Sequence, residues 1–172
     1  MPERIQRRRV AGWRKPPGAI YVGRGSRWGN PFTVQRMADG TCAVVVIQSP
    51  SEEFRAWMLG LRKCRRQPGE FFIENTRPEG SVLDTPTVEA LDDCYRRAMH
   101  RSVEWFSAYL NTAPDLVAAA RSELRGHDLM CWCPLTYPDG RRYPCHADVW
   151  LEVANMTNGE SVEEANDANA DH

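Results

Sequence analysis

The chain has 172 residues, 42% of them hydrophobic and 26% charged. This is room for one ordinary domain and an ordinary globular balance, which excludes collagen, coiled coil and disorder of the whole chain. The longest apolar run is Cys42 to Ile47, too short for a membrane span, and no apolar stretch follows the basic N-terminus as a secretory signal requires. Six cysteines are too few for a disulfide scaffold of this size, so reduced thiols and a cytoplasmic setting are expected.

Residues 1–18 read as an arm or edge strand ending in Lys15-Pro16-Pro17-Gly18, and Ala19 to Val22 as a short strand. Gly23 to Phe32 is a loop rich in Gly and Arg. Thr41 to Ile47, entered through an Asp39-Gly40 turn, is β-branched and predicts a second strand. Ser49-Pro50-Ser51-Glu52 has the form of a capping box, and Phe54, Trp57, Met58 and Leu61 continue at helical spacing towards Cys64. Residues 65–84, with Pro68-Gly69 and Pro78-Glu79-Gly80, read as a loop insertion. Thr85-Pro86 opens the longest helix, whose stripe is Leu91, Tyr95, Ala98, Met99, Ser102, Trp105, Phe106 and Tyr109. Thr112-Ala113-Pro114-Asp115 caps another helix, which stops at Gly126. Leu129 to Trp132 is a strand, Tyr137-Pro138-Asp139-Gly140 a turn, and a final helix starts near Pro144 with Val149, Trp150 and Val153 facing inward. Residues 158–172 are acidic, small and polar, the composition of a disordered tail.

Charge is distributed unevenly. Residues 1–36 carry nine basic side chains and one acid, Glu3, while residues 158–172 carry five acids and no Lys or Arg. Setting those five acids aside turns a net charge of −1 into +4 for the body. A basic segment of this kind binds phosphates of a nucleotide or a nucleic acid, or is simply a solvated face.

Alternating strands and helices predict a small single α/β domain over residues 1–157. Its sheet should be mixed or partly parallel, packed by about four helices, with the site at the C-terminal strand ends. The two unusual segments both follow predicted strands. In Gly23-Arg24-Gly25-Ser26-Arg27-Trp28-Gly29-Asn30-Pro31-Phe32 the glycines allow close approach to an anion. Arg24, Ser26, Arg27 and Asn30 are candidate ligands for it, and Trp28 or Phe32 a stacking face. The third glycine comes one residue too late for a dinucleotide fingerprint, and no Gly-Lys-Ser/Thr of a P-loop occurs.

The second segment runs Cys131-Trp132-Cys133-Pro134, then through Pro144 to Cys145-His146-Ala147-Asp148. Three readings compete. Cys131, Cys133, Cys145 and His146 are four soft donors for a tetrahedral zinc. His146 and Asp148, with Cys145 as a nucleophile, are an acid–base set for a metal-free active or ligand site, with Trp132 beside it. In the third reading the cysteines pack as small hydrophobes, as Cys42, Cys64 and Cys94 are expected to do. The adjacency of Cys145 and His146 favours the metal-free reading, since neighbours rarely both reach one ion.

Together these segments resemble an uncharacterised domain family of bacteria and their phages, actinobacterial ones especially. The shared residues are Tyr21-Val22-Gly23-Arg24-x-Ser26-x-Trp28-Gly29-Asn30-Pro31-Phe32, then Leu124-Arg125-Gly126, Leu129, Cys131-Trp132-Cys133 and Cys145-His146-Ala147-Asp148-Val149. The likeness spans about residues 5–155 and departs at the longer Cys133–Cys145 loop and the 65–84 insertion. It implies where the site lies and brings no established activity. The functional expectation is a protein that binds a phosphorylated, base-containing ligand as a hydrolase or transferase. The alternative is a non-enzymatic, zinc-stapled module that binds such a ligand, or nucleic acid through residues 4–15, with no membrane partner.

Overall fold

The structure is a computed structural model that describes residues 1–36, 42–46, 65–67, 70–76 and 88–156. In chain order the elements are β1 (Arg4–Gln6), β2 (Ile20–Tyr21), β3 (Phe32–Arg36), β4 (Cys42–Val46), β5 (Arg65–Gln67), β6 (Glu70–Thr76), α1 (Val88–Leu110), α2 (Pro114–Glu123), β7 (Leu129–Cys131) and α3 (His146–Asn155). The protein is an α/β mix, with strands in two sheets. The chain forms two compact units, Met1–Gly29 with the chain from Ala113 onward, and Asn30–Thr112.

In the first unit β7 is the middle strand of a three-stranded sheet, order β1-β7-β2, with both pairings parallel. Leu129, Met130 and Cys131 are all buried, which suits a central parallel strand covered on both faces. The ladder runs on past the strands: Arg7 N–H donates to the Cys131 carbonyl (2.8 Å) and Val22 N–H to that of Met130 (2.9 Å). All three strands therefore present their C-terminal ends on one edge, where ligands of parallel sheets collect. Pro144 precedes α3, whose extended N-cap is Cys145, and Ala147, Val149, Trp150, Val153 and Ala154 pack inward as the apolar spacing predicts. The Trp150 ring meets Trp28 edge to face at 5.4 Å, and its Nε1–H donates to the Trp28 carbonyl at 2.7 Å. At the far end of α3, Arg125 donates to the carbonyls of Ala154 (3.0 Å) and Met156 (2.8 Å), placing a cation where the helix dipole is negative.

The cap of α2 differs from the sequence expectation. Its N-cap is Ala113, without a side-chain cap, and Pro114 takes the first turn as predicted. The Thr112 hydroxyl instead donates back to the Tyr109 carbonyl (2.8 Å).

In the second unit an antiparallel sheet, order β3-β4-β6-β5, is covered by α1. Cys94, Ala98, Ser102, Phe106 and Tyr109 form its buried stripe. β3 is absent from the sequence reading because its alternation is brief and starts directly after Pro31. Residues 65–84, read as a loop, contain β5 and β6. Pro68-Gly69 suggested a break, yet it falls between two strands paired antiparallel, and Phe71 to Ile73 belong to a seven-residue strand. The predicted helix over 49–64 and the tail 158–172 lie outside the described residues.

Replacing Trp150 with Phe should leave the buried Trp28 carbonyl without its donor and destabilise the protein by about 1–3 kcal/mol. For a chain of this length that lowers Tm by roughly 2–4 °C per kcal/mol, readable in a thermal melt. An unchanged Tm would refute this bond's contribution.

Candidate metal centre

β7 ends at Cys131, and alternation along the strand returns Cys133 to the same side, with the two Sγ atoms 3.6 Å apart. The chain then leaves and comes back. Tyr137 N–H donates to the Arg141 carbonyl (2.8 Å), Gly140 N–H to that of Tyr137 (3.0 Å) and Tyr143 N–H to that of Leu135 (3.0 Å). The Tyr137 and Tyr143 rings pack at 4.6 Å across this hairpin. The length of the loop is therefore taken up by an ordered excursion that delivers Cys145 back to the end of β7.

Cys145 has extended backbone, φ −150° and ψ 136°, and His146 is the first residue of α3. This change of backbone conformation between neighbours turns both side chains to one point. The Cys145 Sγ accepts from the Ala147 N–H (3.4 Å) and lies 3.9 Å from His146 Nδ1. On the other side of the ring, Nε2 lies 2.8 Å from the Val22 carbonyl. A carbonyl only accepts, so Nε2 carries the hydrogen, and Nδ1 turns its lone pair towards the sulfurs. Neighbouring Cys and His residues rarely both reach one ion, yet here the turn from extended to helical backbone brings their donor atoms close together. The donor atoms of Cys131, Cys145 and His146, all three residues buried, lie within 4.8 Å of one another.

The sulfurs share charge. The Cys131 thiol is held far below the ordinary thiol range, first by a hydrogen bond from Cys133 and then by one from Cys145. Cys133 is pushed up chiefly by its hydrogen bond with Cys131 and by burial, and Cys145 by its hydrogen bonds with Cys131 and then Cys133, followed by burial. Soft donors at the positive end of a helix, with the Cys131 thiol lowered, form a cluster able to hold a metal ion.

Arg4 braces the cluster from β1. Its side chain, 2% exposed, donates to Asp148 (2.7 Å) and to the carbonyls of Tyr143 (2.9 Å), Leu135 (2.9 Å) and Pro134 (3.2 Å). It therefore ties both limbs of the hairpin to the sheet. The other Asp148 oxygen accepts from Arg142 at 2.6 Å. Asp148, a candidate acid–base group in the sequence, is engaged by two guanidinium groups. Arg4, in the sequence only one of several basic residues, is the brace of the site; no spacing rule marks it.

The Gly23–Gly29 turn closes on itself. The Ser26 hydroxyl and N–H both donate to the Gly23 carbonyl (2.8 and 3.1 Å), and Tyr21 OH to that of Arg24 (3.0 Å). Gly25 has φ 86°, which favours glycine, and a Cβ on Gly29 would make tight contacts of 3.2 Å with three backbone atoms. The turn meets the second segment through Val22 with His146 and Trp28 with Trp150. Arg24 and Arg27 are exposed; Arg27 pairs with Glu123 and lies 4.1 Å over the Trp28 ring. Trp28, expected to stack on a base, is buried against Trp150. Asn30 and Phe32 belong to the second unit. There Asn30 accepts from the Phe32 N–H (2.8 Å) and donates to Ser102, and Phe32 is buried. Trp132 is half-buried, with Arg7 and Arg9 each 4.7 Å from its ring centre.

Fold and site define an α/β protein with a Cys/His cluster at the C-terminal ends of parallel strands. The chain matches the domain of unknown function DUF4326 over residues 5–85 and 67–156, and it belongs to that family. No curated protein and no solved structure matches it. Among the described residues, no helix is long and apolar enough to cross a membrane.

The two arginines on Asp148 should behave differently. Arg4→Met removes a buried guanidinium from a half-buried carboxylate still held by Arg142 and from three carbonyls, and should cost about 2–3 kcal/mol in urea unfolding. Arg142, 73% exposed, should cost less than about 1 kcal/mol when replaced by Met. Equal losses would contradict the brace.

Proposed function

We propose that the chain is a zinc-stapled binding module whose metal is structural and whose strand-end surface takes an anionic, base-containing ligand. The observation that carries this reading is the convergence of the Cys131 and Cys145 thiols on an imidazole whose other nitrogen is already tied to Val22, with Cys133 Sγ 3.6 Å from Cys131 as the fourth donor within reach. Around a tetrahedral zinc, sulfur at about 2.3 Å and nitrogen at about 2.0–2.1 Å stand about 3.5–3.8 Å apart. The 3.6 Å between Cys131 and Cys133 and the 3.9 Å between Cys145 and His146 are close to that spacing. The donors are soft, and the hydrogen bond from Nε2 orients the imidazole as it does in metal-binding histidines.

Zinc bound here would supply folding energy, since four protein donors leave no position for a reacting water. Cys131, Cys133 and Cys145 would hold it as thiolates and His146 through Nδ1. Arg4 offsets the excess negative charge of three thiolates. The same arrangement speaks for a binding module over a hydrolase or transferase, because His146 is buried and directed at the sulfurs and Asp148 is held by Arg4 and Arg142. The ligand reading rests on the half-buried Arg7, on the exposed cations of residues 8–15 and on Arg24 and Arg27.

Freshly purified protein should contain one zinc per chain by elemental analysis. Binding of structural zinc is worth on the order of 10 kcal/mol in small domains, so a strong chelator should abolish the cooperative melt. Cys133→Ser and His146→Ala should lower zinc content and solubility together. Protein free of metal, with a melt indifferent to chelator, would overturn the proposal.

A further inference from the structure

The three strand ends carry more than the cluster. Arg7 follows β1, Tyr21 closes β2 and Trp132 follows β7, so parallel pairing lines them up along the C-terminal edge of the sheet. The Arg7 guanidinium lies 4.7 Å from the Trp132 ring centre and 5.2 Å from that of Tyr21, and the Arg9 guanidinium approaches Trp132 at 4.7 Å. Arg9 is exposed, and Arg7, Tyr21 and Trp132 are half-buried. From Arg4 to Lys15 the chain holds six basic residues and no acid, and Arg4 alone of these is buried.

We infer that this arginine–aromatic edge, with Arg7, Arg9, Tyr21 and Trp132 at its centre, grips single-stranded nucleic acid. A guanidinium stacked on a ring keeps its N–H edge outward, in the plane, for phosphate oxygens. The ring and guanidinium planes are also surfaces on which unpaired bases stack, whatever their sequence. Other anionic ligands fit less well. The Gly23–Gly29 turn directs the N–H groups of Ser26 and Gly29 at its own carbonyls, so it is no cradle for a lone nucleotide phosphate. A track of cations along residues 7–15 matches a polymer of phosphates. A duplex hides its base faces and would use only the charge. The inference deepens the proposed function and rests on it in one respect: Trp132 lies between Cys131 and Cys133, so metal bound there would fix the ring's backbone.

The test is fluorescence anisotropy of the full chain with a labelled oligo-dT of about 20 nucleotides, with unlabelled single strand and duplex of that length as competitors and zinc content measured on every sample. Binding should be tighter for single strand than for duplex. Its log–log salt slope should be about −2 to −3, as expected for three or four phosphates at about −0.7 each. Trp132→Ala and the exposed Arg9→Met should each weaken binding about tenfold or more, and Trp132→Phe should restore most of it. Arg101→Met, which removes the same charge from α1, should change nothing. Wild-type binding by both Trp132→Ala and Arg9→Met, or a duplex bound as tightly as single strand, would overturn the inference. Zinc-free protein that still shows the ring-dependent grip would leave the inference standing and refute the metal centre alone.

Discussion

The imidazole of His146 is held from both sides, and the arrangement of the first unit follows from that. Its Nε2–H is tied to the Val22 carbonyl at the end of β2, and its Nδ1 faces sulfurs contributed by the end of β7 and the start of α3. One ring thus joins an edge strand, the central strand and the helix that covers them. The bond to Val22 selects the tautomer, and the tautomer decides which nitrogen can accept a metal. Rotating the ring would break the strand contact and turn an N–H towards the sulfurs.

Electrostatics makes that position tenable. Clustered cysteines cannot all ionise in a buried site without a compensating cation, and here the hydrogen bonds from Cys133 and Cys145 lower the Cys131 thiol. The end of α3 and the buried Arg4 supply positive potential next to it. Arg4 also holds the carbonyls of the hairpin limbs, so neutralising charge and closing the loop are one interaction. Asp148, one turn into α3, completes the charge balance and brings in Arg142 from the hairpin.

Much of this was legible in the sequence, and the reasons for the remainder are specific. Parallel strands flanking a buried apolar segment, the helix beginning beside Pro144, the stripe of α1 and the four soft donors all follow from periodicity and residue chemistry. The closeness of the Cys145 and His146 donor atoms did not. Adjacency of Cys145 and His146 argued against shared ligation until the backbone between them changed from extended to helical, a fact of φ and ψ that one-dimensional spacing does not hold. Trp28 and Trp132 look alike in sequence, each beside arginine, glycine or cysteine. Burial against Trp150 makes the first a core residue, and position at a strand end leaves the second half-exposed under two arginines. Arg4 resembled its neighbours Arg7, Arg8 and Arg9 because nothing local announces a partner 144 residues away. β5 and β6 were hidden for a similar reason, since their pairing with distant β4 outweighs the turn signal of Pro68-Gly69.

Zinc K-edge X-ray absorption on the purified protein tests the central claim most directly, because it counts donors around the ion in solution. Three sulfurs at about 2.3 Å and one nitrogen at about 2.0–2.1 Å, with imidazole scattering beyond, are what the geometry predicts. A first shell of oxygen and nitrogen with fewer than two sulfurs would contradict it.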